Sequence, residues 1–292
     1  MTEGICLFAY NNNQIDYTRI AMLASVCAKK HLNKPVALIT NESSWAWLRS
    51  TQSFNDIKLA FDDVIISDDE LDTSNVRLHY NSPWNEFSAP FYNTNKHKIF
   101  EYTPYDKTIL MDIDYICKTD FLNHAFSSYE GVAMYDRAKG LQNNNSSLNE
   151  TFLYDAGIPM WWSTIIYFDQ SQISKTFFDL WSHIAENYSY YRLLYNFPGK
   201  LFRTDYCVSI AVHILNGMQP GDVINTFADQ PLLNMYQKDV ILEVNKDNWL
   251  MLANDIEQNW KNIAVNHKNL DLHCMNKRSL DDHWKTIWEY NT

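Results

Sequence analysis

Ile5 to Tyr10 is an unbroken apolar run that ends in Asn11, Asn12 and Asn13, and an amphipathic stretch from Asp16 to about His31 follows it. This order predicts a buried strand, a polar loop and a helix. Pro35 to Thr40 (PVALIT) and Asp63 to Ser67 (DVIIS) are two more short apolar runs, with a helix predicted around Trp45 to Arg49 between them. Strands alternating with helices predict the α/β class, with a Rossmann-like, mostly parallel central sheet flanked by helices. From Asp68 to Tyr92 the chain is polar and aromatic and carries Pro83 and Pro90, which predicts a long excursion before a helix near Asn95 to Tyr102. Thr108 to Ile116 (TILMDIDYI) reads as the next central strand. Further on, the pattern predicts a loop at Gln142 to Glu150, a strand at Ser163 to Phe168, and helices at Lys175 to Tyr188 and near Tyr206 to Leu215. No internal repeat is visible. Ligands of an open α/β sheet sit beyond the carboxyl ends of its strands, which points to Asn11 through Asn13 and to the end of TILMDID.

Composition narrows the function classes. The 292 residues, 46% hydrophobic and 15% aromatic, suit a folded globular chain with a substantial core. Only 7 glycines occur, and none are spaced as GxGxxG or GxxxxGK[ST], so phosphates must be held by other means than those two loops. With 24 basic against 35 acidic residues the formal charge is −11, which repels polyanions at long range and leaves nucleic acid only a local basic patch. The five cysteines, Cys6, Cys27, Cys117, Cys207 and Cys274, show no CxxC spacing and read as free thiols of a reducing compartment. No apolar stretch is long enough for a bilayer, so a soluble, cytoplasmic protein with no membrane partner is expected.

Asp112 and Asp114 stand two apart in an otherwise apolar run. On an extended chain such residues point to the same side, about 6–7 Å apart. At an effective dielectric near 20 their repulsion is roughly 2–3 kcal/mol, which a shared cation would relieve. Hard carboxylate ligands suit Mg²⁺ or Mn²⁺, and a histidine as third ligand tilts the choice toward Mn²⁺. The competing reading is a strand end with two solvated aspartates.

The segment YDKTILMDIDYI resembles the metal-binding DxD segment of glycogenin-like glycosyltransferases of family 8, which have a GT-A fold. Lys96 lies where that family keeps a basic residue for the nucleotide sugar. His273, Asn276 and Lys277 in LHCMNK resemble its late histidine, glycine and lysine motif, with Asn276 in place of the glycine and the lysine early. Asp205 in RTDYCVSIAVH resembles its acidic residue near the transferred sugar, although Tyr206 replaces the glutamine that follows. The family's asparagine, serine, glycine segment is Trp162, Ser163 and Thr164 here, without the amide. The chain is also similar to small stand-alone transferases of tailed phages. Its asparagine content, about one residue in ten, fits an AT-rich genome, and for such a source the location would be the host cytoplasm.

The resemblance implies one GT-A-like catalytic domain over 1–292, with a nucleotide-sugar half to about residue 120 and an acceptor half beyond it that ends in a metal- and diphosphate-binding segment. It implies a metal held by Asp112, Asp114 and His273, with Asp112 also on the ribose. Lys277 would meet the departing phosphates, Lys96 the donor sugar or phosphate, and Asp205 the sugar or an oxocarbenium-like centre. Apart from the resemblance, the strand end at Tyr10 with Asn11, Asn12 and Asn13 offers a flat ring and polar groups to stack on and hydrogen-bond a uracil, against the plainer reading of a polar turn. The implied reaction moves a sugar from a UDP-sugar to an acceptor hydroxyl, with retention of configuration.

For His273 alone, a backbone-bonded neutral histidine is the plainer reading; for Lys96 and Lys277 it is a solvated surface charge. Trp161, Trp162, Tyr188, Tyr190, Tyr191, Tyr195 and Phe197 are candidates to stack acceptor sugars or bases, against the commoner role in a core. A basic rim of Lys200, Arg203, Lys261, Lys268, Lys277 and Arg278 keeps hydroxymethylated viral DNA among the acceptors, beside a glycan or a protein. A catalytically silent nucleotide-sugar-binding module is the rival from another class. A DxD phosphotransferase is disfavoured, because Tyr115 and Ile116 break the DxDx[TV] context.

Overall fold

Side chains of β1 (Glu3–Phe8) and the residues after it alternate between two cores: Ile5, Leu7 and Ala9 enter one, and Cys6, Phe8 and Tyr10 the other. Successive strand side chains point to opposite faces, so a run that is apolar at every position fits only a sheet covered on both sides. The structure, a computed structural model, describes residues 1–12, 14–71, 73–82, 85–142, 151–153, 157–197, 199, 201–227, 230–254 and 261–292.

The central sheet adds β2 (Val36–Thr40), β3 (Asp63–Ile66), β6 (Lys107–Met111), β8 (Val132–Tyr135), β10 (Trp162–Asp169) and β11 (Asn225–Thr226), in the order β11-β8-β10-β6-β1-β2-β3. Only β10 runs against the rest, antiparallel to both β6 and β8. The expected mixed α/β architecture, mostly parallel with helices on both faces, is therefore present. The sheet takes strands from both halves of the chain, so residues before and after about 120 interleave in it.

On one face lie α1 (Tyr17–Leu32), α2 (Glu42–Thr51) and α3 (Phe54–Ala60). Each starts where a polar side chain takes an otherwise orphaned backbone N–H: Asp16 accepts from Arg19, Asn41 from Ser44 and Ser53 from Asp56. The first ends at Asn33, whose left-handed backbone (φ 52°) lets its N–H reach the Lys29 carbonyl. On the other face lie α6 (Gln172–Glu186), α7 (Tyr188–Leu194) and α8 (Thr204–Leu215), around Phe177, Phe178 and Trp181. Full burial of each such ring is worth roughly 1.5–3 kcal/mol. Gly4 lets the second core close, because a Cβ there would meet the Tyr105 ring at 2.4 Å.

Two smaller units position the site. A four-stranded sheet orders β7 (Tyr115–Ile116), β16 (Leu272–Cys274), β12 (Leu232–Met235) and β9 (Ala138–Gly140) side by side. A meander of β13 (Val240–Val244), β14 (Asn248–Asn254) and β15 (Asn262–Lys268) precedes α9 (Lys277–Asp282) and α10 (Trp284–Asn291).

Several expectations need correcting. TILMDIDYI is not one strand: β6 stops at Met111, the chain turns, and β7 belongs to the second sheet. The excursion at 68–92 contains an antiparallel hairpin, β4 (Val76–Ser82) and β5 (Asn85–Pro90). The predicted helix at 45–49 is the middle of a longer α2, and α3 was not predicted. The helix near 95–102 is a 3-10 turn, Lys96–Lys98, that runs into α4 (Ile99–Tyr102). From residue 143 on, the expected loop lies outside the described residues, as do Asn13 and Lys200. Among the described residues no helix is long and apolar enough to cross a membrane.

Candidate active site

The two aspartates converge through a turn, not through the period of a strand. The Asp112 N–H still bonds the Thr164 carbonyl of β10 at 2.8 Å, and the Tyr115 N–H closes back on the Asp112 carbonyl at 3.0 Å. Asp114 thus lies between two sheets. Strand β16 pairs antiparallel with β7, setting His273 opposite Tyr115, and the Cys274 N–H bonds the Asp114 carbonyl at 2.7 Å. Backbone pairing across more than 150 residues therefore brings the imidazole to the carboxylate, with Nε2 3.6 Å from Asp114 Oδ2.

One ligand atom from each of Asp112, Asp114 and His273 falls within 4.8 Å of the others. Asn234 on β12 pairs with His273 and orients its ring: Nδ1–H donates to Asn234 Oδ1 at 2.9 Å, which turns Nε2 toward Asp114. Two carboxylates and an imidazole nitrogen, the ring steadied by the Asn234 amide oxygen, fit Mn²⁺ or Mg²⁺.

Both carboxylates also carry lysines. Lys96, 5% exposed, bonds Asp112 Oδ1, and Lys277 Nζ lies 2.5 Å from Asp114 Oδ2. Burial pushes Asp114 up, but Lys277 and His273 outweigh it and hold the carboxyl far below its usual range. Burial lowers the Lys96 ammonium to about 8, against the pull of Asp114 and Asp205.

Asp205, at the start of α8, accepts from the Ser163 N–H at 3.0 Å and its hydroxyl at 2.7 Å, with Arg203 Nη2 at 3.3 Å. Burial raises its pKa, and Arg203 with the Ser163 bonds brings it below normal. It is an anchored anion, not a free base.

All six of these residues, Lys96, Asp112, Asp114, Asp205, His273 and Lys277, line one cavity of about 570 Å³ at the carboxyl ends of the parallel strands. That volume is within the ~300–1,000 Å³ of small-molecule sites. A second wall comes from the β4–β5 hairpin, which sequence reasoning missed. Arg77 there stacks 3.6 Å above the Phe91 ring centroid, and its Nη2 donates to the Phe202 carbonyl at 3.3 Å. Among the described residues no carboxylate pairs with it and its Nε has no partner, while burial lowers it to about 10. Asn93, which ties its Nδ2 to the Phe8 carbonyl at 3.0 Å, also lines the cavity with Oδ1 unpaired. The signal for Arg77 was faint: in VRLHY the polar residues alternate with apolar ones, which conventionally puts Arg77 and His79 outside.

Other expected residues lie elsewhere. Tyr10 offers no face for a uracil: it is 1% exposed, in register with Cys6 and Phe8 in the second core. Asn11 is held by Ser44 and Thr18, and Asn12 Nδ2 donates to the Pro90 carbonyl at 2.7 Å, so both tie the loop and neither lines the cavity. Asn276 caps α9, accepting from the Ser279 N–H. Most of the expected aromatic platform is core, with Trp161, Tyr188, Tyr191, Tyr195 and Phe197 buried and Tyr190 62% exposed; Trp162, 3% exposed, is the member that lines the cavity. The basic rim disperses: Lys261 and Lys268 are exposed at the two ends of the β15 segment, and Arg278 pairs with Asp282.

No protein-family model matches the sequence, and no curated protein does. Among solved structures it is similar to the glycosyltransferase GlyE of Streptococcus pneumoniae TIGR4, at 12% identity and a TM-score of 0.41, over 78% of this chain and 46% of that one. The galactosyltransferase LgtC, solved with donor and acceptor sugar analogs, is 11% identical over 77% of this chain and 73% of its own, with a TM-score of 0.45. Mouse xyloside xylosyltransferase 1 is 12% identical over 77% and 85%, with a TM-score of 0.44. This chain thus spans less than half of GlyE. At such scores neither residue roles nor substrates pass from those proteins to this one.

Proposed function

We propose that this protein is a GT-A-type glycosyltransferase, a single catalytic unit that moves a sugar from a nucleoside diphosphate sugar, a UDP-sugar in our reading, to an acceptor hydroxyl. The observation that carries it is the convergence of Asp112, Asp114 and His273 within 4.8 Å, beside Lys96 and Lys277 and in one large cavity. Leaving-group departure concentrates negative charge on the diphosphate, so a site built for it needs cations that do not depend on solvent. The three ligands would hold Mn²⁺ or Mg²⁺, which as a Lewis acid would neutralise diphosphate oxygens.

The chain's own groups do the rest. Lys277 and Lys96, parked on the carboxylates, are within reach of phosphate oxygens at the same place. Arg77, with no ion pair to a carboxylate among the described residues, offers a guanidinium to the donor from the hairpin wall. Asp205, fixed by Ser163 and Arg203, orients a sugar hydroxyl or stabilises positive charge at the anomeric carbon. Retention of configuration follows from the family resemblance and is read from the anomeric coupling of the product. With the rest of the aromatic cluster in the core, acceptor contacts fall to residues at the cavity such as Trp162, Leu78, Tyr80 and Leu201.

The test is hydrolysis of, or transfer from, UDP-, GDP- and TDP-sugars with Mn²⁺, Mg²⁺ or chelator, using glycan, protein and hydroxymethylcytosine-DNA acceptors. Turnover that needs the metal and disappears in Asp114→Asn supports the reading. Donor binding without turnover on any acceptor would make the protein a silent binding module.

A further inference from the structure

Behind the strand pair that carries Asp114 and His273 lies a second, smaller cavity of about 90 Å³. Its walls come from the end of α1, the residue after Cys117, the turn between β13 and β14, and α10. Lys118 is the decisive group. Its ammonium nitrogen is buried and meets no hydrogen-bond acceptor among the described residues; it sits 5.0 Å from the Trp249 ring centroid. A buried ammonium with no acceptor is costly, and a ring face compensates only part of that cost.

Among the titratable lining residues basic groups outnumber acidic ones, and His31 also faces the space. Lys30 and Lys246 join Lys118, with Asp247 as the one carboxylate, in a chain that carries 24 basic and 35 acidic residues overall. Lys30 donates to the Tyr290 carbonyl, so no carboxylate neutralises it. Cys27, also in the lining, has its thiol pushed up to about 12 by burial, so no thiolate is the missing anion. The side-chain amide of Asn269 adds a neutral donor. At ~30 Å³ per water the space holds about three waters, enough for one tetrahedral oxyanion and too little for a nucleoside.

We propose that this cavity binds a phosphate-type oxyanion, with Lys118 as its principal ligand and Lys30 and Lys246 in support. It is separate from the donor cavity, and no residue lines both. The shared chemistry of the ligand is a dianionic tetrahedral group, free or as the end of a phosphomonoester.

The test is calorimetric titration of the full chain with inorganic phosphate and, separately, phenyl phosphate, at constant ionic strength with chloride as control. Variants are Lys118→Met, Lys246→Met and, for the donor cavity, Lys277→Met. Saturable phosphate binding that survives Lys277→Met, falls at least tenfold in Lys118→Met and falls a few-fold in Lys246→Met is expected. Binding of phosphate alone identifies the free ion, and binding of both identifies a phosphomonoester end. Should Lys118→Met not fold, the exposed Lys246 decides alone. No binding above chloride, or wild-type affinity in the folded lysine variants of this cavity, overturns the proposal.

Discussion

On the sheet wall of the large cavity, around Asp112 and Asp114, the charges are paired: Lys96 on Asp112, Lys277 on Asp114 and Arg203 on Asp205. On the hairpin wall Arg77 has no ion pair to a carboxylate among the described residues, and the nearby Asn75 and His79 keep unpaired polar side-chain atoms. The burial pattern is inverted there as well. Asn75 and His79 are 4% and 6% exposed, while Val76 and Leu78, one residue along, are 47% and 39% exposed. A half-buried strand is expected to do the reverse. The sheet wall is thus electrostatically complete, so a ligand there must displace existing pairs, whereas the hairpin wall is left for a ligand to complete.

The comparison fails first if the paired wall tolerates losing a charge. Asp114→Asn should lower metal-dependent donor turnover on the order of 10³-fold, because both the ligand charge and the partner of Lys277 are gone. Steady-state hydrolysis across a Mn²⁺ series measures it, and a loss below tenfold breaks the contrast.

His79 tests the hairpin side through pH. Burial lowers its pKa from 6.5 to about 4, with Lys277 and Arg77 adding to the shift. Between those values the unfolded chain binds a proton that the folded chain refuses. The stability present above pH 6.5 is therefore lost as pH falls through 4, by up to about 3 kcal/mol. Denaturant melts at pH 7 and pH 4 should show that extra loss in wild type and its absence in His79→Phe.

Arg77→Met separates binding from folding. With no ion pair to orphan, and only the Phe202 hydrogen bond and the stacking on Phe91 to lose, the variant should melt within about 2 kcal/mol of wild type. A charge-assisted hydrogen bond is worth about 1.5–3 kcal/mol, so UDP affinity should fall about 10–100-fold. Equal UDP affinity by calorimetry would make Arg77 structural and the hairpin wall inert. The smallest effect is expected at Asn234→Ala, which frees the His273 ring without removing a metal ligand and should weaken Mn²⁺ binding about tenfold.

What the sequence made legible follows the same division. β1, β2 and β10 were readable because burial on both faces writes a continuous apolar run, β3, half-exposed at the sheet edge, because its run is short but apolar, and the helices because their caps and periodicity are local. Asp112 and Asp114 stood out as charges inside such a run, and the family resemblance tied His273, Lys277, Lys96 and Asp205 to them. Their convergence was expected from strand geometry, yet it arises from a turn and from the pairing of β7 with β16, which no local pattern encodes. Asn234 lies in the apolar run LLNM and carried the same signal as the aspartates, unread. Arg77 was hidden because its strand is inside out. Tyr10 was misplaced because one residue of register decides between cleft and core.

Anomalous diffraction at the manganese edge, from crystals soaked with MnCl₂ and UDP, tests the central claim most directly. The account predicts a peak about 2.0–2.2 Å from a carboxylate oxygen of Asp114 and from His273 Nε2, with Asp112 beside it and the diphosphate between Lys277 and Arg77. Manganese bound by other residues while UDP occupies the cavity, or UDP bound away from Asp112 and Asp114, would contradict it.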